Sequence, residues 1–323
     1  MLDPAIAAIR LAVRNALTPY ADQTVLVALS GGADSLALAA AAAYEARARN
    51  IRVISVTVDH ALQPGSDGVA ARAAQQAADL GIADARTVRV DVGETGGPEA
   101  AARDARYAAL LSVAVDVDAA AVLLGHTLDD QAEGVLLGLA RGAGAGSLAG
   151  MPPRREHATG LIWERPLLSV RRETTRAFCA ASGIEPWHDP HNDDPRYARV
   201  RVRQTILPLL ETELGPGIAE ALWRTAEQLR EDNEAFQDMI DEVIEDICEH
   251  AEAGISISVD ALLANPPALR NRIIRYVASS EFDVSLTRAQ TLEIARLVTD
   301  WRGQGPLDLP GFTAARAGSS LVL

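Results

Sequence analysis

Short apolar runs alternate with helical patterns through the first 141 residues of the chain. The runs are rich in Val, Ile, Leu and Ala without polar alternation, which is typical of strands buried on both faces. The predicted strands are 25–29, 51–58, 87–90 and 120–124. The predicted helices are 35–49, 66–80, 98–115 and 128–141. This alternation indicates an α/β fold: a parallel sheet with right-handed crossovers and flanking helices.

The remainder of the chain is predicted to be loop-rich, then helical, then mixed. A helix near 170–182 lies in the loop-rich section, and the breaker at 215–217 follows it. Helical spacing then predicts packing positions at Phe236, Met239, Ile240, Val243, Ile244 and Ile247. From about residue 254 we expect a small α/β or α+β module that ends in a hairpin. A chain of 323 residues favours two domains, which we place at 1–215 and 216–323.

The N-terminal segment predicts a helix, with Asp3 as N-cap and Pro4 as first helical residue, rather than a targeting sequence. No window of about 18 uninterrupted apolar residues is present, so we expect no membrane span. Cys179 and Cys248 are distant in sequence and outside any CxxC motif. This cysteine usage argues against a disulfide or a thiolate metal site and fits a reducing, cytoplasmic location.

All 30 basic side chains are arginines, because the chain contains no lysine. A Walker-type phosphate loop and any lysine-based chemistry are therefore excluded. The net charge of −14 argues against indiscriminate nucleic-acid binding. Between Arg154 and Arg203, however, ten arginines accompany seven acidic residues, a local balance of +3. Such a segment suits a phosphate backbone, although an isolated basic segment is also typical of a solvated helix face.

The sequence SGGADS, residues 30–35, joins the first predicted strand to the next helix. Its glycines allow a sharp turn and a close approach to an anion, while the helix N-terminus and the serine hydroxyls supply donors. Asp34 would repel phosphate unless a divalent cation lies between them. The combination predicts a site for a nucleotide pyrophosphate with Mg²⁺. A capped helix after a tight turn is the simpler alternative.

Further polar clusters are predicted at the carboxyl edge of the same sheet. They are Asp59 with His60 after the second strand, Arg103 with Arg106 on the following long helix, and His126 with Asp129, Asp130 and Glu133 after the fourth strand. Carboxylates in a first helical turn also complement the helix dipole. Three acids and a histidine exceed what capping needs, and they suit an ammonium group or a metal.

Two arginine groups accompany these clusters. Arg103 and Arg106 share one helix face, where salt bridges with neighbouring acids are the alternative to a binding role. Arg141 ends the helix after the fourth strand, and we expect it to place a cation at the same edge. Later in the chain four arginines lie within eight residues: Arg196, Arg199, Arg201 and Arg203.

SGGxDS after a first strand resembles the pyrophosphate loop of the N-type ATP pyrophosphatases. Over about 25–210 the chain resembles the tRNA(Ile)-lysidine synthetase family through six motifs in the same order. They are SGGADS, the DH pair, PEAAARDARY, GHTLDDQAE…RGAGAGSLAGM, RPLL and HDPHNDD…YARVRVR…ILP. This resemblance implies a PP-loop ATPase domain, like the adenine nucleotide alpha-hydrolases, followed by a helical region and a smaller C-terminal module that helps to hold tRNA.

The resemblance also implies the reaction. Members join free L-lysine to C2 of the wobble cytidine of tRNA(Ile) with a CAU anticodon, and the codon read changes from AUG to AUA. The tRNA is first adenylated by ATP with release of pyrophosphate, and lysine then displaces AMP. The implied cofactors are ATP and Mg²⁺. The implied partners are the tRNA and free lysine, without a membrane; a homodimer is left open.

Roles carried over from the family fall on these positions. The implied catalytic residues are Asp34, Asp59, His126 and Asp130. The implied nucleotide-binding residues are Ser30, Gly31, Gly32, Ala33, Asp34, Ser35 and Arg141, with Asp34 as the metal ligand. Asp130 and Glu133 are the residues implied for lysine. The residues implied for tRNA are Arg103, Arg106, Arg196, Arg199, Arg201 and Arg203.

The chain departs from the family pattern at Gly134, where threonine is usual, and at Val200, where asparagine is common. It is also shorter than members with a second C-terminal domain. Three other functions remain as alternatives. A tRNA 2-thiolation enzyme on this fold needs paired cysteines or an iron–sulfur cluster, and a GMP-synthetase-like amidotransferase needs a glutaminase segment. A non-catalytic nucleotide-binding regulator has no use for the acid cluster or the arginine-rich run.

Overall fold

A six-stranded sheet organises the first part of the chain. Its strands are β1 (Thr24–Ala28), β2 (Arg52–Asp59), β3 (Asp84–Arg89), β4 (Ala119–Leu123), β5 (Arg154–Glu156) and β6 (Ile162–Glu164). Their spatial order is β3-β2-β1-β4-β6-β5, and only the β5–β6 pairing is antiparallel. The chain order reverses between β1 and β4, so a crevice opens at the carboxyl ends of these two strands, where α/β proteins bind their ligands.

The computed structural model describes residues 2–60, 65–91, 93, 98–251 and 254–323. Its first ten α-helices are α1 (Pro4–Leu17), α2 (Ala33–Ala46), α3 (Ser66–Asp79), α4 (Pro98–Asp116), α5 (Leu128–Ala140), α6 (Ala145–Leu148), α7 (Arg172–Ala181), α8 (Ala198–Arg201), α9 (Leu207–Leu214) and α10 (Ile218–Ile247). As predicted, Asp3 caps α1, because its carboxylate accepts the Ala5 N–H at 2.8 Å.

Two cores cover the two faces of this sheet. One contains α1, α2, α3 and α7, represented by Ile9, Leu38, Ala77 and Phe178. The other packs α4 through Leu110 against the opposite face. Because both faces are covered, the central strands β1, β2 and β4 are mainly apolar, as their sequences predicted, with Ser55 and Thr57 as buried polar residues in β2.

A third apolar cluster fixes α5 beside the sheet edge. Leu128 and Ala132 of α5 pack against Val202, Leu207 and Ala219. Val202 begins a π-helical turn, Val202–Ile206, that joins α8 to α9. A π-turn inserts an extra residue into the helical ladder and redirects the side chains within it. It therefore sets the direction of Arg203, which lies in this turn.

The chain forms two compact units, Met1–Arg230 and Glu231–Leu323, and the division between them falls within α10. The elements of the second unit after α10 are β7 (Cys248–Ala251), β8 (Gly254–Ser258), α11 (Val259–Ala264), α12 (Pro267–Phe282), α13 (Arg288–Thr299), β9 (Leu307–Leu309), β10 (Phe312–Ala317) and β11 (Ser320–Val322). The strands form an antiparallel sheet in the order β7-β8-β11-β10-β9. The mixed module and its terminal hairpin, β10–β11, are as predicted.

The fold confirms the predicted class and all four predicted strands, with three local differences. Strand β3 lies at the sheet edge and is only partly buried, so the expectation of burial on both faces is wrong for it. Met239 is 45% exposed, because it lies at the margin of the apolar stripe of α10 rather than at its centre. The division at 230/231 falls within α10 (Ile218–Ile247), whereas the predicted boundary at 215/216 lies just before that helix.

Within the described part of the chain, no helix has both the length and the apolar character needed to cross a membrane.

Gly125 determines how closely the end of β4 approaches the start of α2. A Cβ on Gly125 would lie 3.2 Å from backbone atoms of Asp34 and Ser35. These are backbone neighbours in a packed helix, so they cannot move aside as the end of a flexible side chain would. The absence of a side chain at Gly125 therefore allows the β4 and β1 loops to meet.

We expect Gly125→Ala to lower the free energy of unfolding by about 1–3 kcal/mol, because the added methyl group overpacks this contact. The control is Gly134→Ala in α5, where a Cβ would meet no atom within 4 Å. Helix propensity should make that variant more stable by about 0.5–1 kcal/mol. Urea denaturation measures both, and equal stabilities for Gly125→Ala and wild type would contradict the close-packing argument.

Candidate active site

The loop SGGADS lies at the carboxyl end of β1, in the crevice beside β4. Gly31 has φ = +80°, a conformation that favours glycine, and its carbonyl accepts the Trp187 N–H at 2.9 Å. Helix α2 begins after Gly32, and no side chain caps it. The first N–H groups of a helix have no intrahelical acceptor. The start of α2 therefore offers donors and a partial positive charge to an anion.

The two serines of the loop hold its shape. The Ser35 hydroxyl donates to the Gly32 carbonyl at 3.0 Å and accepts the Ser30 N–H at 3.2 Å. The hydroxyl oxygens of Ser30 and Ser35 are 3.1 Å apart. Ser35 is buried and Ser30 exposed. Ser35 therefore braces the turn, and Ser30 is the serine that can reach a ligand.

Asp34 lies in the first turn of α2 with 25% of its side chain exposed. One carboxylate oxygen accepts the hydroxyl of Thr175, and the other is 3.5 Å from Arg172 Nε. Burial is the largest influence on the pKa of Asp34 and raises it, although Thr175 and Arg172 oppose the shift. A single partly exposed carboxylate beside unpaired N–H groups fits Mg²⁺, which nucleotide sites hold through one or two carboxylates plus phosphate oxygens.

Asp130 lies at the start of α5, and its two oxygens have different partners. Oδ2 accepts the N–H and the hydroxyl of Thr127 at 2.8 and 2.9 Å, and this caps the helix. Oδ1 accepts from Arg172 Nη2 at 2.6 Å. Burial alone raises the pKa of Asp130, but Arg172, His126, Thr127 and Arg203 together outweigh it and lower the pKa. Asp130 is therefore an ionised carboxylate.

Glu133 lies one turn further along α5 and is fully buried. Its Oε1 accepts from Arg172 Nη1 at 2.9 Å and from Arg203 Nε at 2.8 Å, and its Oε2 accepts from Arg203 Nη2 at 3.1 Å. Arg199 Nε lies 3.8 Å from Oε2. A buried carboxylate is costly unless it is paired and hydrogen-bonded, and two arginines supply that pairing here.

Arg172 thus contacts three carboxylates with one guanidinium, which is 12% exposed: those of Asp34, Asp130 and Glu133. Burial opposes its charge, but the carboxylates outweigh burial and raise the pKa of Arg172. Its backbone N–H donates to Asp129 at 2.7 Å, which fixes the start of α7 against the start of α5. The sequence prediction missed Arg172, since nothing local distinguishes it from the other arginines between 154 and 203.

His60, Arg106 and His126 form a second group of polar side chains that interact electrostatically, and His126 also interacts with Asp130. No described residue offers a hydrogen bond to His126 Nδ1, His60 Nδ1 or Arg106 Nε. Burial lowers the pKa of all three groups, that of His126 to about 3. Arg106 also lowers the pKa of both histidines, while Asp130 opposes the shift at His126. His126 is therefore neutral at pH 7. Asp59, buried at the end of β2, precedes His60 on the same edge.

Comparison with known families decides what kind of protein carries this site. Residues 7–210 match the model of the PP-loop domain, and residues 257–322 match that of the TilS substrate binding domain. A tRNA(Ile)-lysidine synthase of Leifsonia xyli subsp. xyli is 58% identical over 92% of this chain and 89% of its own length. The enzymes of that name from Rhodococcus erythropolis and Streptomyces coelicolor are 49% and 45% identical, each over 99% of this chain and 96% and 98% of their own lengths.

The chain belongs to the tRNA(Ile)-lysidine synthase family. Members of this family are ligases, so the chain is an enzyme of that class, with a PP-loop domain for ATP and a tRNA substrate. Among solved structures, the U34-tRNA thiolase NcsA from Methanococcus maripaludis has a TM-score of 0.59 at 22% identity, over 70% of this chain and 80% of that one. This likeness confirms the PP-loop fold.

The arginines expected to bind tRNA do not lie together. Arg196 and Arg201 are exposed; Arg196 pairs with Asp194 at 2.6 Å, and Arg201 donates to backbone carbonyls of its own segment. Arg199 of α8 and Arg203 of the π-turn instead point at Glu133. Of the four arginines within 196–203, two are therefore exposed and two point inward.

Arg103 is exposed and lies over the Tyr107 ring, with its guanidinium carbon 5.2 Å from the ring centre. Arg106 is half-buried in the group with His126. Arg141 follows the 13 residues of α5, whose first turn lies at the crevice. At about 1.5 Å per residue it lies about 20 Å along the helix axis, so the expectation that it shares the sheet edge is corrected.

The two departures from the family pattern have simple surroundings. Gly134 faces open space within 4 Å of its absent Cβ, and Val200 is buried beside the π-turn. Within the described ranges, no group of three or more histidine, cysteine or acidic side chains is arranged to hold a metal ion by itself. A Mg²⁺ ion held by Asp34 would take its other ligands from substrate phosphate oxygens and water.

The lowered pKa of His126 makes stability depend on pH. Its pKa falls from 6.5 to about 3 on folding, so between these values the unfolded chain binds a proton that the folded protein does not. Stability is therefore lost as the pH falls through 6.5. Between pH 7 and pH 5, wild type should lose about 2 kcal/mol more than His126→Asn, measured by urea denaturation.

The matched control is His157→Asn, since His157 lies in an exposed turn. Its loss between pH 7 and pH 5 should equal that of wild type. The same loss in His126→Asn would show that His126 is not held neutral by burial.

Proposed function

We propose that this protein joins free L-lysine to C2 of the wobble cytidine of tRNA(Ile) with a CAU anticodon. ATP is cleaved to AMP and pyrophosphate, and the modified tRNA reads AUA in place of AUG. Support comes from the 45–58% identity to enzymes named tRNA(Ile)-lysidine synthase over most of the chain. Because the substrate is tRNA, we place the activity in the cytoplasm.

One structural observation carries the proposal. Arg172 reaches Asp34 at the start of α2 and both Asp130 and Glu133 on α5, at distances of 3.5, 2.6 and 2.9 Å. The anion site at the loop and the carboxylates suited to an ammonium group are therefore within reach of a single side chain. A reaction that brings ATP and an amine to one carbon atom needs that proximity.

In the first step the C2 carbonyl oxygen of cytidine attacks the α-phosphorus of ATP, and pyrophosphate leaves. Negative charge accumulates on the departing phosphates. The N–H groups after Gly31 and Gly32 at the start of α2 stabilise that charge without having to reorganise. Bound Mg²⁺ supplies further neutralisation of the phosphate oxygens, and Asp34 is the residue that would hold it. Ser30 and Ala33 complete the loop.

In the second step the lysine ε-amine attacks C2, and AMP leaves. Asp130 and Glu133 supply the negative charge that recognises lysine. His126 is neutral, and its Nδ1 has no acceptor or donor among the described residues. It can therefore accept a hydrogen bond from the ammonium group without adding repulsion. Asp59 remains a proposed catalytic residue through its place beside His60 at the end of β2.

For tRNA we propose contacts from the exposed arginines Arg103, Arg196 and Arg201, together with the half-buried Arg106. Their phosphate contacts give affinity and orientation rather than base selection. Arg199 and Arg203 instead form ion pairs with Glu133. The C-terminal module over 257–322 supplies a second contact, in line with its match to a substrate binding domain.

We expect Asp34→Asn to slow tRNA-dependent ATP–pyrophosphate exchange at least 100-fold, because the amide removes the charge that holds Mg²⁺. The measurement is incorporation of labelled pyrophosphate into ATP. Asp67→Asn is the matched control, since Asp67 also occupies the first turn of a helix that follows a strand, but is exposed. It should retain wild-type exchange. Full exchange by Asp34→Asn would remove the metal role from Asp34.

A second prediction separates lysine ligation from 2-thiolation on the same fold. Cys179 is buried, Cys248 is half-buried, and both are free thiols whose pKa is raised to about 11 by burial. Such thiols are weak nucleophiles at neutral pH. The double variant Cys179→Ala with Cys248→Ala should therefore retain incorporation of labelled lysine into tRNA(Ile) to within about twofold. Loss of activity in a folded double variant would favour thiol chemistry.

A further inference from the structure

Arg172 occupies the place where the proposed substrate ammonium is expected to bind. Its Nη2 lies 2.6 Å from Asp130 Oδ1, and its Nη1 lies 2.9 Å from Glu133 Oε1. An ammonium group bound to these carboxylates would use the same oxygens. The guanidinium, at 12% exposure, fills the space between them.

Arg172 is not required to orient either carboxylate. Asp130 is fixed at its other oxygen by the N–H and hydroxyl of Thr127, at 2.8 and 2.9 Å. Glu133 is fixed by two hydrogen bonds from Arg203, at 2.8 and 3.1 Å. Without Arg172 both carboxylates would keep these partners, and the charge facing the crevice would be more negative by one unit.

The third contact of Arg172 links it to the nucleotide side. Its Nε lies 3.5 Å from Asp34 Oδ2, and Asp34 belongs to the first turn of α2, where we propose that phosphate binds. Phosphate at the start of α2 would offer the guanidinium an alternative anion, in a geometry that arginine recognises well. Nucleotide binding would then draw Arg172 away from Asp130 and Glu133.

We propose that Arg172 is an internal competitor for the lysine ammonium, and that ATP releases this competition. The inference rests on the proposed function, in which Asp130 and Glu133 receive lysine. Arg172 keeps lysine affinity low while the loop is empty and raises it when nucleotide is bound. By thermodynamic linkage, lysine strengthens nucleotide binding by the same factor.

The test measures the Kd of L-lysine by isothermal titration calorimetry on the full chain, with and without a non-hydrolysable ATP analogue and Mg²⁺. For wild type, the analogue should lower the Kd at least fivefold. For Arg172→Met, the Kd without analogue should already be about tenfold lower than that of wild type, and the analogue should change it less than twofold. Arg172→Lys keeps the charge and should restore most of the wild-type coupling.

Arg171→Met is the matched control. It removes the same charge from the neighbouring residue, which pairs with Asp129 and Glu220 instead. Its lysine Kd and its response to the analogue should match wild type. Thermal unfolding of every variant reports folding, and Arg172→Gln replaces any Arg172→Met protein that does not fold.

Two outcomes would overturn the inference in different ways. Equal lysine affinity and equal coupling in wild type and Arg172→Met would show that Arg172 does not compete, while lysine ligation itself would stand. Absence of lysine binding in all variants, with ATP analogue still bound, would remove Asp130 and Glu133 as the lysine site, and the proposed substrate with them.

Discussion

The balance of charge between α5 and α7 is the constraint on which the candidate site depends. Glu133 is fully buried, and an unpaired carboxylate there would be costly, so the fold must bring cations to it. Arg172 and Arg203 are those cations, and they come from separate parts of the chain. Breaking such a buried pair typically costs about 3–5 kcal/mol. The ion pairs of Glu133 with Arg172 and Arg203 therefore both stabilise the fold and line the crevice.

The fold delivers these cations through two local devices. Asp129 accepts the first N–H of α7, which places Arg172 opposite α5. The π-turn between α8 and α9 turns Arg203 inward. Gly125 then lets β4 approach the start of α2, so that the anion site and the carboxylates meet at the reversal of strand order. The first two devices each aim one arginine side chain at Glu133.

The likeness to a tRNA thiolase with a TM-score of 0.59 shows that a PP-loop fold by itself does not select the reaction. What the two chains share is the fold, over 70% of this chain and 80% of the other. The reaction must therefore depend on side chains, and the crevice of this chain carries carboxylates neutralised by arginines. Cys179 lies beside the SGGADS loop, with its Sγ 3.5 Å from the Ala33 carbonyl oxygen, and both Cys179 and Cys248 are free thiols. A substrate cation that binds Asp130 and Glu133 must displace the arginine that already neutralises them.

Local periodicity and turn chemistry in the sequence were enough to specify the α/β class, strands β1 to β4, the capped first helix and the turn at SGGADS. The sequence also identified Asp34, Asp130 and Glu133 as a group, since strand ends meet at one sheet edge. Only the tertiary structure decided that Arg172 joins them, that Arg203 turns inward and that Arg141 lies a helix length away. The hydrogen bonds of Glu133 with Arg172 and Arg203 join residues 39 and 70 positions apart, and no local pattern distinguishes one arginine from another at such distances.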